Sequence, residues 1–328
     1  MLFDLPIEEL RTYNPEVMEP SDFDAFWNGT LADAASYPLD AQFMPYDAGL
    51  ACVDVFDVRY CGFGGQRVAG WYLSPHGLTE PAPTVVWYLG YGSGRSLPYE
   101  WLLWPSAGYC VLVMDSRGQG YGELDSRNDA HASGRLTRGI LNRDAYYYRR
   151  LFVDAVRAVD AAASHPSTDV ARIIVAGASQ GGGIAQAVAG LRSDVFAALI
   201  DVPFLTHFTR AAEITDKQPY NEIREYLARN RDQEQAVFDT LNYFDGLHFA
   251  TRATAPARYS VGLMDTISPP STVFAAYNRY GGPAEIDVWK FNGHEGGGVH
   301  QTAVQLQWVR DLWAAATLAR TTSRNTLS

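Results

Sequence analysis

Ser179 stands in Gly177-Ala178-Ser179-Gln180-Gly181, directly after the apolar run Ile173, Ile174, Val175, Ala176 and before a small-residue stretch compatible with a helix over 183–191. A serine between glycines at a strand-to-helix junction is the sequence form of a nucleophile elbow. The backbone there is strained, the hydroxyl is exposed above a sheet, and side chains at the flanks would collide. In a chain with 29 glycines a bare G-x-S-x-G can arise by chance. The strand before it and the helix after it are what give it functional weight.

A serine hydroxyl is a poor nucleophile at neutral pH and needs a base within hydrogen-bond reach, itself oriented by a carboxylate. Asp265, in Gly262-Leu263-Met264-Asp265-Thr266, follows the apolar run 258–262, and His294, in Gly293-His294-Glu295, follows the run 286–291. Both fall at C-terminal strand ends, where a parallel sheet opens its site, and in the order Ser, Asp, His. Taken alone, Asp265 also reads as a turn aspartate ahead of Pro269-Pro270. Its placement together with Ser179 and His294 favours the triad. Of the seven histidines only His294 and His300 lie beyond Asp265, and His300 is further from its strand, near the start of the last helix. His76, His131, His165, His207 and His248 are read as surface or satisfied core residues.

The tetrahedral intermediate of acyl transfer carries negative charge that needs preorganised donors. One is the amide of Gln180, after the nucleophile. The other is sought in the loop after the run 84–89, at Gly90-Tyr91-Gly92, and is assigned to Tyr91. The chain has no H-E-x-x-H, no clustered Cys/His set and no G-x-G-x-x-G following a strand, so neither a metal nor another cofactor is expected. The run Gly296-Gly297-Gly298 is expected to be a flexible loop at the site, not a phosphate cradle.

These residues need a scaffold. At 328 residues, with 47% hydrophobic and 13% aromatic side chains, the chain has material for a substantial core and shows no linker, low-complexity tract or short repeat. Short apolar runs at 84–89, 110–115, 172–176, 197–201, 258–262 and 286–291 alternate with helical patterns at 148–163, 183–191, 270–280 and 303–318. This is the signature of a doubly wound α/β fold with a mostly parallel twisted sheet flanked by helices. A hairpin of two alternating stretches, 51–60 and 66–73, precedes it as an antiparallel edge. A helical N-terminal arm occupies 1–45, with Ser21 capping a helix over 21–37, and a helical insertion at about 204–251 is placed to cap the site. The whole is expected to be one domain.

Twenty-six basic against 37 acidic residues give a net charge of −11, which argues against nucleic-acid and anionic-membrane partners and favours neutral substrates. Three cysteines, Cys52, Cys61 and Cys110, form no C-x-x-C pair or even-numbered disulfide framework. No window approaches about 18 uninterrupted apolar residues, and the first residues lack the basic and apolar regions of a signal peptide. The expectation is a soluble cytoplasmic protein.

Arg117-Gly118-Gln119, Gly177-Ala178-Ser179-Gln180-Gly181 and His294-Glu295 stand in that order, with Gln218-Pro219-Tyr220 and the segment 269–278 as further points of likeness. Together they resemble carbohydrate esterase family 7, the acetyl xylan esterases and cephalosporin C deacetylases of the α/β-hydrolase superfamily, over essentially the whole chain. The resemblance implies deacetylation of small O-acetylated sugars and related acetyl esters by Ser179, Asp265 and His294, with Tyr91 and Gln180 as amide donors. It also implies a homohexamer with interior-facing sites, structural support from Arg117 and Gln119, and an acyl pocket restricted by Pro219. From the sequence itself Arg117 reads as one half of a salt bridge. The chain departs from many relatives at Leu89, where they carry histidine, and at Gly296-Gly297-Gly298, where they carry bulkier residues, which points to a wider or more mobile pocket. A general short-chain carboxylesterase, an acyltransferase and a catalytically silent hydrolase-fold binding protein are the competing readings.

Overall fold

The computed structural model describes residues 2–120, 125 and 134–325. In chain order the elements are α1 (Ile7–Leu10), α2 (Phe23–Ala35), β1 (Gln42–Pro45), β2 (Val53–Cys61), β3 (Arg67–Pro75), β4 (Ala82–Tyr88), α3 (Leu103–Ser106), β5 (Cys110–Met114), α4 (Tyr147–Ala163), β6 (Thr168–Ala178), α5 (Gln180–Leu191) and β7 (Ala197–Asp201). There follow α6 (Phe208–Ile214), α7 (Asn221–Arg229), α8 (Glu234–Asn242), α9 (Gly246–Arg252), β8 (Ala257–Gly262), α10 (Pro270–Tyr277), β9 (Ala284–Trp289) and α11 (Gly298–Asn325).

Among the described residues the strands form one nine-stranded sheet in the order β1-β2-β3-β5-β4-β6-β7-β8-β9. Pairing is antiparallel from β1 to β5 and parallel from β5 onward. This is the α/β fold the alternation of runs implies. Consecutive side chains of each central strand go to opposite faces. Thus Val86, Leu112, Val175 and Ala198 join the core beneath α4 and α5, whereas Val85, Val111, Ile174 and Ala197 join Trp104, Tyr109 and Val309 on the α3 and α11 side.

Three local readings of the sequence are corrected. The edge strand is β1, drawn from the end of the segment read as a helical arm, and the hairpin of β2 and β3 lies inside it. Ser21 does not cap α2. The residue preceding the helix is Asp22, and its carboxylate takes Tyr243 Oη–H and, at 2.8 Å, Arg143 Nη1 instead of the helix amides. Strand β9 starts and stops two residues earlier than its apolar run, because Phe291 lies past the last pairing and is exposed. The segment read as the insertion holds α6 to α9, as its amphipathic pattern requires.

His165 closes the core beneath the sheet's antiparallel side, its ring 4.2 Å from the ring centre of Tyr72, 4.7 Å from Phe43 and 5.0 Å from Phe56. Nδ1 accepts from Ser167 N at 3.2 Å, and burial pushes the imidazole down to about 4 from 6.5. The unfolded chain therefore binds a proton that the folded chain refuses between about pH 6.5 and 4, and the stability associated with this group is lost as pH falls through that window. His165→Phe should flatten the acid limb of a plot of unfolding free energy against pH, and an unchanged limb would exclude this residue as its source.

Candidate active site

Parallel register sets the geometry. Tyr88 at the end of β4 pairs with Gly177 near the end of β6, and Ala178 pairs with Asp201 at the end of β7, so the loops leaving all three strands start level with one another. Ser179 follows β6 with φ 57° and ψ −119°, a region that costs a non-glycine residue of order 1–3 kcal/mol and persists only when its surroundings enforce it. They do so through hydrogen bonds. Ser179 N donates to Asp201 O, and Ser179 O accepts from Gly183 N and Phe204 N, each at 3.0 Å. The flanking glycines are required by close backbone approach: a Cβ on Gly177 would lie 2.4 Å from the carbonyl carbon of Gly181, and one on Gly181 would lie 2.1 Å from Tyr88 O. The helix begins at Gln180, three residues before the sequence pattern suggests, because the turn is completed within Ser179 itself.

Asp265 and His294 meet Ser179 from the next strands. Asp265 is fully buried, and its Oδ1 accepts from Ile267 N at 2.8 Å and Ser268 N at 3.0 Å. Its Oδ2 lies 2.8 Å from His294 Nδ1, and His294 Nε2 lies 2.8 Å from Ser179 Oγ. An ionised carboxylate only accepts, so Nδ1 carries the proton and Nε2 presents its lone pair to the serine hydroxyl. The two loops are stitched together by Met264 N donating to Asn292 O at 3.0 Å. Glu295 braces the histidine turn, accepting from Asn292 Nδ2 at 2.8 Å and Gly293 N at 3.1 Å. Its own backbone N–H, and then the Asn292 amide, hold its carboxyl below the usual glutamate range.

The glycine run after Glu295 is not a loose site loop. Gly296, Gly297 and Gly298 have φ of 53°, 90° and 51°, and Gly298 N donates to Glu295 O at 2.8 Å. A Cβ on Gly297 would lie 2.2 Å from Cε2 of Trp289, and one on Gly296 would lie 2.7 Å from Val202 Cγ1. Glycine is demanded here by left-handed backbone and packing, so the run lies against Trp289 and Val202 and gives no ground for a wider pocket.

Gly90-Tyr91-Gly92 follows directly on Tyr88 and Leu89, which lie against the elbow at Gly181 and Gln180. Neither Tyr91 N nor Gln180 N donates to an acceptor among the described residues, which leaves both amides available. The loop is held from beneath. Gln119 Oε1 accepts from Gly92 N at 2.6 Å, while its Nε2 donates to Tyr147 Oη at 2.8 Å and to Gln180 Oε1 at 3.0 Å. Gln180 in turn donates from Nε2 to Leu89 O at 3.1 Å and accepts from Tyr148 Oη at 3.0 Å. Thus the glutamine side chain of the elbow fastens the loop that faces it. Leu89 is buried and contributes to this network through its carbonyl.

Among the described residues Arg117 makes no hydrogen bond to Ser179, Asp265 or His294. Its guanidinium donates from Nε and Nη2 to the Asp154 carboxylate at 2.5 and 2.6 Å and from Nη1 to Gln66 Oε1 at 3.0 Å. Pro219 heads α7, its carbonyl accepting from Glu222 N at 3.0 Å, and the adjacent Tyr220 stacks its ring edge on Phe204 at 4.4 Å. His300 lies 6.2 Å from Trp289, ring to ring, outside the Ser179 arrangement. His76 bonds Asp54 at the surface, His248 bonds Asn242, and His207 is buried beside Tyr13, whereas His131 lies outside the described residues. Sequence reasoning misses Tyr147 and Tyr148; the only signal is three consecutive tyrosines, Tyr146 to Tyr148, opening a helix that faces the core.

No helix among the described residues is long and apolar enough to cross a membrane, and no group of three or more His, Cys, Asp or Glu among them converges as a metal site. The family model for acetyl xylan esterases matches residues 1–312. An acetyl esterase of Xylanibacter ruminicola is 27% identical over 317 residues, spanning 92% of this chain and 69% of the relative. Among solved structures, an acetyl xylan esterase from Paenibacillus sp. R4 superposes with a TM-score of 0.89 at 39% identity, covering 94% of this chain and 99% of the other. Acetyl xylan esterase 1 from Thermoanaerobacterium sp. JW/SL YS485 gives 0.88 at 30% identity, covering 95% and 100%.

Proposed function

The chain belongs to the acetyl xylan esterase family, and from that membership we propose that it is a serine deacetylase of small O-acetylated substrates working through an acetyl-enzyme. The observation that carries the reading is the ring of His294, whose two nitrogens lie 2.8 Å from Ser179 Oγ and from Asp265 Oδ2. His294 Nε2 takes the proton of Ser179 as Oγ bonds to the acetyl carbonyl carbon. The resulting oxyanion accepts from Tyr91 N and Gln180 N. As the intermediate collapses, the ester C–O bond breaks and the proton on Nε2 passes to the departing sugar oxygen. A water molecule then repeats the sequence on the acetyl-enzyme, releasing acetate and restoring Ser179. Asp265 keeps the imidazole in the tautomer this requires.

Acetylated xylo-oligosaccharides and cephalosporin C-like acetyl esters are the substrates proposed. Pro219 restricts the acyl side of the pocket, a role supported by its place beside Tyr220, whose ring packs on Phe204, and Phe204 N is hydrogen-bonded to Ser179 O of the elbow. Arg117 and Gln119 act as supports. The reading extends to one α/β-hydrolase domain with its arm and insertion, assembled as a homohexamer and located in the cytoplasm. The hexamer rests on family resemblance. The location is supported by Cys52, Cys61 and Cys110 all being free thiols. Turnover of acetyl, butyryl and octanoyl p-nitrophenyl esters, followed by acetate release from acetylated xylo-oligosaccharides, tests the reading. A steep fall beyond acetyl is expected, and comparable rates on all three esters would replace it with a general carboxylesterase.

A further inference from the structure

The helical insertion reaches the oxyanion loop through one half-buried carboxylate. Glu222, in the first turn of α7, accepts from Tyr91 Oη at 2.5 Å with Oε1 and from Leu136 N at 3.0 Å with Oε2. Tyr91 Oη is further fixed as an acceptor from Arg135 N at 2.8 Å. Burial pushes the Glu222 carboxyl up, and the Tyr91 hydroxyl and the Leu136 amide pull it down. The Tyr91 ring edge packs on Phe204 at 6.2 Å, and Phe204 N donates to Ser179 O. Tyr91 is therefore gripped at its hydroxyl by the insertion while its amide donates to no acceptor among the described residues. Gly134 completes the enclosure: a Cβ there would lie 1.8 Å from Glu222 Oε2.

We propose that Glu222 is a positioning residue for catalysis, holding the Tyr91 phenol so that the Tyr91 amide is set for the oxyanion. The inference rests on the deacetylase reading above. The physical argument is preorganisation: an amide that must be reoriented as charge develops contributes less than one already in place, and the deficit falls on the transition state more than on substrate binding. A carboxylate suits this position because two donors, Tyr91 Oη–H and Leu136 N–H, converge on it, and a glutamine amide has one acceptor oxygen to offer them.

The test compares p-nitrophenyl acetate kinetics, inhibition by methylboronic acid as a tetrahedral adduct, and thermal unfolding for Glu222→Ala, Tyr91→Phe, their double variant and Gly134→Ala. Losing an oxyanion donor outright costs about 100-fold to 1000-fold, so a misplaced one should lower kcat about 10-fold to 100-fold while KM moves less than about twofold. Boronate affinity should fall in step with kcat. The double variant should be no worse than the more damaged single variant, because both act through one contact. Gly134→Ala, which keeps the carboxylate but displaces it, should reproduce the loss. Effects that multiply in the double variant, a loss confined to KM, or unchanged kcat in Glu222→Ala would each overturn the proposal. Esterase turnover surviving Ser179→Ala would instead overturn the deacetylase reading.

Discussion

Ser179→Ala should remove acetyl-ester turnover almost completely, by about 10⁴-fold to 10⁶-fold in kcat, leaving the residual rate that oxyanion donors and binding alone can supply. The substitution deletes a single oxygen that meets His294 Nε2, and it removes no hydrogen bond of the elbow backbone. Alanine at φ 57° remains strained, as serine is, so unfolding temperature should stay close to that of the parent. Activity and stability are thereby separated. A fluorophosphonate probe should label the parent and not the variant. Retained turnover would place the nucleophile elsewhere, and loss of both turnover and folding would leave the loss of activity attributable to the elbow as a scaffold instead of to the hydroxyl. Asp265→Asn provides the independent arm of the experiment, because it leaves Ser179 in place and presents an amide to His294 Nδ1. The imidazole then no longer holds the tautomer that accepts from the hydroxyl, and a loss of about 10⁴-fold is expected.

The same elbow shows why part of this molecule is legible in its sequence. Gly177 is dictated by a backbone clash with Gly181, four residues on, so that constraint is written locally, whereas Gly181 answers to Tyr88 O on the neighbouring strand and is legible only through the spacing of the motif. Strand runs are readable for a similar reason: alternate residues of β4 to β7 enter two cores, and both cores demand apolar side chains. Asp265 and His294 can be picked out because strand order places each at the C-terminal end of its strand. By contrast, Gln180 and Gln119 form a bridge between segments 61 residues apart, and Tyr91 meets Glu222 across 131 residues. No local pattern specifies such pairs. The glycine run at Gly296 to Gly298 misleads because composition alone cannot distinguish freedom from a demand for positive φ. The short edge strand β1 escapes detection because only four of its residues pair, and three of them remain exposed.

Arg117→Ala should destabilise the fold by roughly 3–5 kcal/mol, because it strands a carboxylate that is wholly out of solvent. The Asp154 side chain is 0% exposed and that of Arg117 1%, and the two are joined by parallel bonds from Nε and Nη2. Asp154 retains Phe63 N at 2.8 Å, one neutral donor where an ion had stood. The damage should spread toward the site only indirectly: Arg117 O accepts from Tyr147 Oη at 2.6 Å, and Tyr147 accepts from Gln119, which holds Gly92 N. The expected result is an unfolding temperature lower by about 5–10 °C, with kcat at 25 °C reduced by less than about tenfold. Arg117→Lys should recover little, since one ammonium cannot reproduce two parallel bonds to a carboxylate. A collapse of kcat without a change in unfolding temperature would put Arg117 among the groups that act on the reacting atoms. Differential scanning calorimetry beside initial rates on the same samples distinguishes the two, because the ion pair lies in the fold and the Gly90-Tyr91-Gly92 loop lies at the end of the chain of contacts that it supports.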